Sequence, residues 1–293
     1  MLTHLCPSPI SPSRVVIVGA GGFVGAAAAN RLIARGIEVI AIAHQDINLV
    51  SDQAAGQLAS MLLKNDTLVF IAAQAPVKNN AMLVDNLRMA AAVCAAISSI
   101  QVAHVIYVSS DAVYADSDRP LDETSCAHPA SLHGVMHIAR EVMLAEARKV
   151  PLCILRPTVI YGANDPHNGY GPNRFRRLAQ CGEEIALFGA GEEQRDHVYI
   201  DDVAEIIARC AIHRSEGTLN IATGTVISFL EIAEKITRMS ARTPAIKTLP
   251  RTGPMPHRGY RAFDPSSTAR AFPDFCYTPL EIGLALSQRQ EFH

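Results

Sequence analysis

The feature of this sequence with the clearest chemistry is a glycine-rich turn near the start of the chain. Its glycines, Gly19, Gly22 and Gly25, recur every three residues between a strand-like apolar run at 15–18 and a helix-compatible stretch at 26–35. Glycine lets the backbone turn tightly and approach a ligand, and the N–H groups and positive dipole end of the following helix stabilise negative charge. The turn therefore predicts a pyrophosphate site of the kind that holds a dinucleotide.

The elements that must position this turn alternate along the chain. Strand-like apolar runs lie at 15–18, 37–43, 67–73, 104–108 and 152–156, and helix-compatible stretches between them include 51–63, 81–98 and 132–149. Such alternation is typical of a parallel sheet covered by helices. The sequence therefore predicts an α/β fold with a Rossmann-type, doubly wound parallel sheet.

The predicted division of the chain follows from where this alternation stops. Gly, Asn, Asp and Pro cluster between residues 162 and 191, and a short strand at 217–222 is placed to rejoin the edge of the sheet. The expected parts are a dinucleotide-binding domain (14–161 plus 200–224), a smaller, discontinuous substrate lobe (162–199 plus 225–293) and a flexible, proline-containing tail (1–13).

Composition narrows the expected partners. The 293 residues are 49% hydrophobic and carry a formal net charge of −2 without a long basic block, so neither nucleic acid nor a membrane surface is expected. No uninterrupted apolar run approaches the roughly 18 to 20 residues of a membrane span. The seven cysteines stand singly, without the spacing of zinc sites or the density of a disulfide scaffold. We therefore expect reduced thiols and a cytoplasmic protein.

Four motifs, in order along the chain, resemble those of one enzyme family. They are the glycine turn at 19–25, the serine-bearing run 108–114, the Arg-Pro-Thr run 155–162 and the Arg-Asp-His-Val segment within 189–203. Together they resemble the extended short-chain dehydrogenase/reductases, the epimerase/dehydratase group that acts mostly on nucleotide sugars. The resemblance implies an NAD(P)-dependent oxidoreductase or epimerase with a nucleotide-diphosphate sugar as substrate, and we expect a homodimer.

The resemblance also implies a set of cofactor contacts. NAD-preferring members place an acidic residue at the end of the second strand, where a carboxylate binds the ribose and repels a 2′-phosphate. Ala43 occupies this position and His44 follows it, so NADP is mildly favoured over NAD. Two alternatives stay open: His44 as a surface residue without a contact, and Asp46 as a turn residue. The implied cofactor-binding residues are Gly19, Gly22, Phe23, Val24, Gly25, His44, Asp46, Ile47, Ala72, Ala73, His137, Pro157 and Val159.

Two histidines stand where this family keeps its catalytic tyrosine and lysine. Members combine a serine or threonine with a Tyr-x-x-x-Lys pair; here Ser110 supplies the first group, and His133 and His137 occupy the other two positions. The spacing of four puts both rings on one helix face. An imidazole, with a pKa of about 6.5, exchanges protons near neutral pH without help from a cation. We therefore expect His133 to act as acid/base and His137 to contact the cofactor ribose.

Three interpretations of the histidine pair stay open. An imidazole is shorter than a phenol, so the site is either an active histidine variant or a degenerate site that binds without turnover. The third interpretation is a metal site, because two histidines four apart have zinc-ligand spacing. The sequence offers no third ligand, and we predict no metal.

The residues after the serine bear on the reaction. The family's 4,6-dehydratases follow the serine with an aspartate and a glutamate, whereas here Asp111 is followed by Ala112. Alanine also cannot replace the cysteine that the fucose-type epimerase-reductases use at this position. Hydride transfer at one carbon, C4, remains, and the short substrate lobe favours a 4-keto reductase over a 4-epimerase. The alternative is a catalytically degenerate NAD(P)-binding protein with a binding or regulatory role.

The expected substrate contacts lie in both parts of the chain. They are assigned to Ser110, Asp111, Asn173, Arg195 and Arg258. Guanidinium groups bind phosphate in a bidentate manner, so the two arginines are expected at the diphosphate. Asn173 resembles the family's diphosphate-contacting asparagine.

Overall fold

Strands and helices alternate through most of the chain. The computed structural model describes residues 2–289. The strands are β1 Thr3–His4, β2 Val15–Val18, β3 Val39–Ile42, β4 Thr67–Phe70, β5 His104–Val108, β6 Leu152–Pro157, β7 Val159–Tyr161, β8 Ile185–Phe188, β9 Gln194–Tyr199, β10 Ser215–Ile221, β11 Val226–Ser228, β12 Ile246–Leu249 and β13 Tyr260–Arg261. The helices are α1 Phe23–Ala34, α2 Ala54–Met61, α3 Asn80–Ser99, α4 Leu132–Ala147, α5 Pro172–Cys181, α6 Ile200–Ile212, α7 Phe229–Met239, α8 Ser266–Ala271 and α9 Leu280–Arg289, with short 3₁₀ helices at Asp111–Val113 and Pro256–Gly259.

The larger sheet is doubly wound. Within residues 2–289 it has seven strands in the order β1-β10-β6-β5-β4-β2-β3, and every neighbouring pair is parallel except β1 with β10. One apolar cluster joins this sheet to α1 and α6, and a second joins its other face to α2, α3 and α4. Strands covered on both faces read as continuous apolar runs. The predicted α/β fold and Rossmann-type sheet are confirmed.

The order of the strands creates a crevice at one edge of this sheet. The chain moves from β2 outward to β3 on one side and then returns to β4 on the other side of β2. The connections that leave the carboxyl ends of β2 and β4 therefore diverge. In open α/β sheets a ligand binds in the crevice at such a switch point.

A second, smaller group of elements follows β6. Strand β9 lies between β11 and β13 and also pairs with β7, while β8 pairs with β12. Helices α5 and α7 pack on these strands around a cluster that includes Phe175 and Phe229. Strand β10 returns to the larger sheet beside β6.

The start of the chain differs from the expected flexible tail. Thr3 and His4 pair with Glu216 and Ser215 as an antiparallel strand at the edge of the larger sheet. The ring of His4 hydrogen-bonds the Ser215 Oγ at 2.8 Å. A two-residue edge strand has no hydrophobic period, so the sequence pattern gave no sign of it.

Among residues 2–289, one helix passes the length and composition test for a membrane span. This helix is α3, with 20 residues of high mean hydropathy. Six of its residues, including Met89, Ala90 and Val93, are buried, and it packs against α2 and α4. A core helix of a Rossmann-type sheet accounts for the same composition.

Candidate functional site

A cleft of about 920 Å³ lies at the carboxyl edge of the larger sheet. Its walls come from the glycine turn, the ends of β3 to β6 and the first turns of α4. The predicted site residues that line it are Gly19, Gly22, Phe23, Val24, His44, Ile47, Ala72, Ala73, Ser110, His133, His137 and Pro157. The fold thus brings most of the predicted cofactor contacts and all three predicted catalytic residues into one cleft.

The glycine turn has the shape of an anion cradle. Gly19 has a φ of +102°, and a Cβ there would stand 2.5 Å from the backbone nitrogen of Ala72. A Cβ at Gly25 would stand 2.1 Å from the Gly19 oxygen, so both glycines act through close packing. Gly22 precedes α1 and supplies no side-chain cap, and a Cβ there would come no closer than 3.5 Å to any neighbouring atom. The first N–H groups of α1 therefore face a space that fits a pyrophosphate.

In NAD-preferring members of the family, the end of β3 carries the carboxylate that binds the cofactor ribose. Ala43 and the exposed His44 line the cleft there. The Asp46 carboxylate instead accepts a hydrogen bond from the Ala43 N–H at 2.8 Å and closes the turn after β3. The structure therefore differs from the predicted cofactor contact by Asp46, because its side chain serves the turn. Val159 also lies outside the cleft lining, on β7, where it pairs with His197.

Ser110 and His133 both line the cleft because α4 packs directly on the segment that follows β5. Ser110 caps the 3₁₀ helix Asp111–Val113, and its Oγ accepts the Ala112 N–H at 3.2 Å. A Cβ at Gly134 would stand 2.1 Å from the Ala112 carbonyl oxygen. The glycine after His133 therefore permits the close approach of α4 that brings both groups to the cleft.

His133 is a partly buried, neutral imidazole. Its Nδ1 has no hydrogen-bond partner among the described residues. Burial lowers the pKa of His133, Asp111 acts in the opposite direction, and Arg140 and His167 lower it further. Because the net pKa lies below the ordinary value of 6.5, the ring is unprotonated at neutral pH and is available as a base.

His137 lies one turn further along α4, edge-on to His133, with ring centroids 4.7 Å apart. Its Nδ1 is 2.8 Å from the hydroxyl of Tyr107, a fully buried residue of β5. Burial, His133 and Arg140 all lower the pKa of His137, so this ring is also neutral. Within residues 2–289, no group of three or more His, Cys, Asp or Glu side chains is arranged to hold a metal ion.

Asp111 is the centre of a buried ion-pair cluster. Its Oδ2 accepts from Arg261 Nε at 2.9 Å and lies 3.4 Å from Arg195 Nη2. Burial raises the pKa of Asp111, but these two guanidinium groups outweigh it, and the net pKa is lowered. Its Oδ1 lies 3.4 Å from Ser110 Oγ. Asp111 is therefore a carboxylate that connects Ser110 to the cluster.

Two predicted substrate contacts are placed differently from expectation. The Asn173 side chain is buried; it accepts from the Gly162 N–H at 3.0 Å and donates to Asp165 at 2.9 Å. Its polar atoms therefore hold the loop before α5. The Arg258 side chain is 76% exposed and lies 3.8 Å from Asp118. Neither residue lines the cleft, and the predicted substrate contacts Asp111 and Arg195 also lie outside its lining.

Several groups at the site were missed in the sequence. Arg261, three residues beyond the predicted Arg258, is the buried partner of Asp111. Tyr107 lies in a buried strand, where the sequence pattern predicts an aromatic residue to be part of the hydrophobic core. Arg140 offered a signal, because it lies three residues after His137 on the same helix face. Asp165 and His167 also line the cleft, but they come from a loop without a recognisable motif.

The sequence matches the model of a known protein family. The match is to the NAD dependent epimerase/dehydratase family and covers residues 15–222. It spans the glycine turn, the Ser110 segment, both histidines and the strands and helices that carry them.

Individual relatives agree with this match. A UDP-glucose 4-epimerase from Mycolicibacterium smegmatis is 27% identical over 256 residues, 75% of this chain and 80% of the relative. The structure of a UDP-glucose 4-epimerase with UDP-glucose from Thermotoga maritima superposes with a TM-score of 0.85 at 20% identity, covering 95% of this chain and 98% of that one. A GDP-L-fucose synthetase from Naegleria fowleri bound to NADP gives a TM-score of 0.81 at 18% identity, covering 99% and 96%. At these identities the two structures support the fold alone.

Proposed function

The chain belongs to the NAD dependent epimerase/dehydratase family, and from this premise we propose that it transfers hydride at C4 of a nucleotide-diphosphate sugar, as a 4-keto reductase. The observation that carries the proposal is the meeting of the glycine turn with Ser110, His133 and His137 in one cleft. The family resemblance alone does not support a reaction at this site, because two of the family's catalytic residue types are replaced.

Each group has a role that follows from its chemistry. The nicotinamide dinucleotide, when bound, supplies the hydride donor or acceptor. The N–H groups at the start of α1 hold its pyrophosphate. Ser110 hydrogen-bonds the reacting oxygen, His133 moves the proton at that oxygen, and His137 contacts the ribose.

The state of Asp111 supports hydride transfer over elimination. A dehydratase needs a carboxylic acid that gives up a proton and a second carboxylate that takes one. Asp111 is held ionised by Arg195 and Arg261, and Ala112 follows it. An ionised carboxylate cannot donate a proton, so the chain lacks that pair at this position.

NADP is the proposed cofactor in preference to NAD. The cleft beside β3 is lined by Ala43, His44 and Gln45. None of these side chains is acidic, and an imidazole is compatible with a 2′-phosphate. The carboxylate of Asp46 is engaged by the Ala43 N–H.

A second candidate, binding without turnover, is favoured by one observation. Arg195, which would hold the substrate diphosphate, faces Asp111 at 3.4 Å and Glu193 at 3.6 Å. These carboxylates compete with a phosphate for the guanidinium. A protein that binds the dinucleotide and responds to its redox state would need no free arginine there.

Hydride transfer with a panel of 4-keto and 4-hydroxy nucleotide sugars separates the two candidates. The change in nicotinamide absorbance is followed with both cofactors and with each sugar. The proposed function predicts reduction of at least one 4-keto nucleotide sugar by NADPH. Tight cofactor binding without turnover of any sugar would favour the binding role.

We also propose that the protein is a homodimer. Val84 of α3 and Val135 and Val142 of α4 are exposed on two neighbouring helices. A subunit contact through α3 and α4 would cover these exposed apolar side chains. Light scattering after gel filtration should give twice the mass of the chain, and Val142→Glu should shift the protein toward the monomer.

A further inference from the structure

We propose that Tyr107 is a positioning residue that fixes His137 as its Nε2–H tautomer, so that the ring presents a hydrogen-bond donor to the cleft. The tautomer follows from buried contacts of the chain itself. Its consequence for cofactor binding rests on the function proposed above, and the two are tested separately.

The Tyr107 hydroxyl has one proton, and the surrounding groups decide where it points. The residue is fully buried, and its oxygen lies 2.8 Å from His137 Nδ1. Burial raises the pKa of Tyr107, so it is a phenol at neutral pH. The positive charge of Arg140 lowers this pKa in part without reversing the shift. Nδ1 is the hydrogen-bond partner that this buried hydroxyl has among the described residues. A protonated Nδ1 would leave the phenol proton without an acceptor, so the phenol donates to an unprotonated Nδ1.

Arg140 is held firmly in its position beside the phenol. Its side chain is completely buried on α4, where Nη1 donates to the Ala72 carbonyl at 2.8 Å. Nε and Nη2 donate to the Asn86 carbonyl at 3.0 and 2.8 Å, and Nη2 also reaches the Asn86 side-chain oxygen at 2.8 Å. The guanidinium lies over the ring of Phe70, 5.0 Å from its centroid. These contacts join α4 to α3 and β4 and hold the cation over Phe70, whose ring centroid is 5.5 Å from that of Tyr107.

The protonation of His137 then follows from its surroundings. The groups that act on the ring are Tyr107 from β5 and His133 and Arg140 from α4 itself. None of them carries a negative charge that would stabilise an imidazolium. A neutral imidazole has one N–H. Since Nδ1 accepts from Tyr107, that N–H is on Nε2.

A donor at this position explains why a histidine can replace a lysine there. The lysine that the family keeps at this point of the helix has donors and no acceptor. An imidazole free to choose its tautomer would present an acceptor part of the time. With Tyr107 in place, His137 presents only the donor, which is what ribose oxygens need as a partner.

The tautomer is measured directly by nuclear magnetic resonance. Protein labelled with nitrogen-15 histidine is studied without ligand near neutral pH by long-range proton–nitrogen correlation, and the His137→Gln variant identifies the His137 signals. We expect a protonated Nε2 and an unprotonated Nδ1 in the wild type. In Tyr107→Phe, which removes one buried oxygen, we expect this preference to be lost.

Tyr161→Phe is the matched control. It removes another buried hydroxyl, which has no hydrogen-bond partner in the described residues, and should leave the His137 signals unchanged. A wild-type His137 protonated at Nδ1 overturns the proposal, whether or not the variants fold. Unchanged His137 signals in folded Tyr107→Phe also overturn it.

Calorimetry tests the consequence for the cofactor. Loss of one fixed donor should weaken NADP binding by Tyr107→Phe about 3- to 10-fold, and Tyr161→Phe should bind like the wild type. An unchanged NADP affinity in Tyr107→Phe would show that His137 does not contact the ribose. The tautomer would still be decided by the spectra. Absence of any NAD or NADP binding by the wild type would contradict the proposed function, and the spectra would still decide the tautomer.

Discussion

His133 and His137 differ from a tyrosine and a lysine in the protonation states that they adopt near neutral pH. A phenol needs a neighbouring cation to become a base, whereas a neutral imidazole is one already. Burial lowers the pKa of both rings. The family's reliance on an ammonium beside the acid/base is therefore unnecessary here, and the cation nearby, Arg140, acts on the rings from within the core.

Replacing His133 tests its role as acid/base. His133→Ala should lower kcat about 10²- to 10⁴-fold, the usual contribution of a positioned acid/base. His128→Ala is the control, because His128 is an exposed histidine of the loop before α4. A folded His133→Ala enzyme with wild-type turnover would exclude His133 from the mechanism.

The pH dependence of the wild-type rate also tests the assignment of His133 as acid/base. As a base in oxidation, His133 must be neutral, so this direction should lose rate only as pH falls through a pKa below 6.5. As an acid in reduction it must be protonated, so that direction should gain rate over the same range. Rates that depend on a group with an alkaline pKa would point to a phenol or an ammonium.

Ala43 decides the cofactor preference. Ala43→Asp places a carboxylate where the 2′-phosphate of NADP would lie and should weaken NADP binding about tenfold or more through like-charge repulsion. Affinity for NAD should hold or rise. The measurement is calorimetry with both cofactors; a wild type that binds NAD far more tightly than NADP would contradict the account.

Single residues were predictable where a motif fixed their position. Ser110, His133 and His137 were located by counting along motifs, and all three line the cleft. Asp46 and Asn173 carry residue types that serve both ligands and turns, and sequence cannot tell which use applies. Arg261 reaches Asp111 across 150 residues, a pairing that depends on the fold and leaves no local pattern.

The strand, glycine turn and helix act together as one binding element. Because a Cβ at Gly22 meets no atom closer than 3.5 Å, a valine there should be accepted by the fold and should fill the space meant for a pyrophosphate. Gly22→Val should therefore abolish NAD(P) binding with little change in the free energy of unfolding. Gly56→Val is the control, since Gly56 lies in open space on α2.

Calorimetry with both variants decides this assignment. Unchanged NAD(P) affinity in folded Gly22→Val would show that the pyrophosphate rests elsewhere. Loss of binding in Gly56→Val as well would show that the effect is not specific to the turn.

The elements that could be predicted were those with a clear hydrophobic pattern in their sequence. The expected runs 15–18 and 104–108 coincide with β2 and β5, and 132–149 differs from α4 only at its end. In the smaller lobe, β9, β12 and β13 carry charged or polar residues and have no continuous apolar run. Strand β9 carries Arg195 and Asp196 and is held by three neighbouring strands, so tertiary pairing, rather than its own sequence, makes it a strand.

The stability of the whole chain should depend on pH through buried neutral histidines. His104 of β5 hydrogen-bonds the Ser215 carbonyl of β10 at 2.7 Å, and burial lowers its pKa to about 4. Above pH 6.5 neither the folded nor the unfolded state binds this proton. Below it the unfolded state binds the proton first, so stability falls as pH falls, by about 3 kcal/mol at pH 4 for this residue.

Urea unfolding at neutral and mildly acidic pH checks this effect. His104→Gln keeps a donor for the Ser215 carbonyl but does not titrate, so the free energy of unfolding should fall less on acidification than in the wild type. His128→Gln, on the surface, should behave like the wild type. If the free energy of unfolding falls equally on acidification in His104→Gln and in the wild type, His104 is not a buried, neutral histidine in the folded state.

A crystal structure with NADPH and a nucleoside diphosphate tests the central claim most directly. We predict the pyrophosphate of the cofactor on the Gly19–Gly25 turn, the His133 ring facing the nicotinamide C4, and the diphosphate near Arg195. A dinucleotide bound outside this cleft, or a His133 ring directed away from the nicotinamide, would contradict the account.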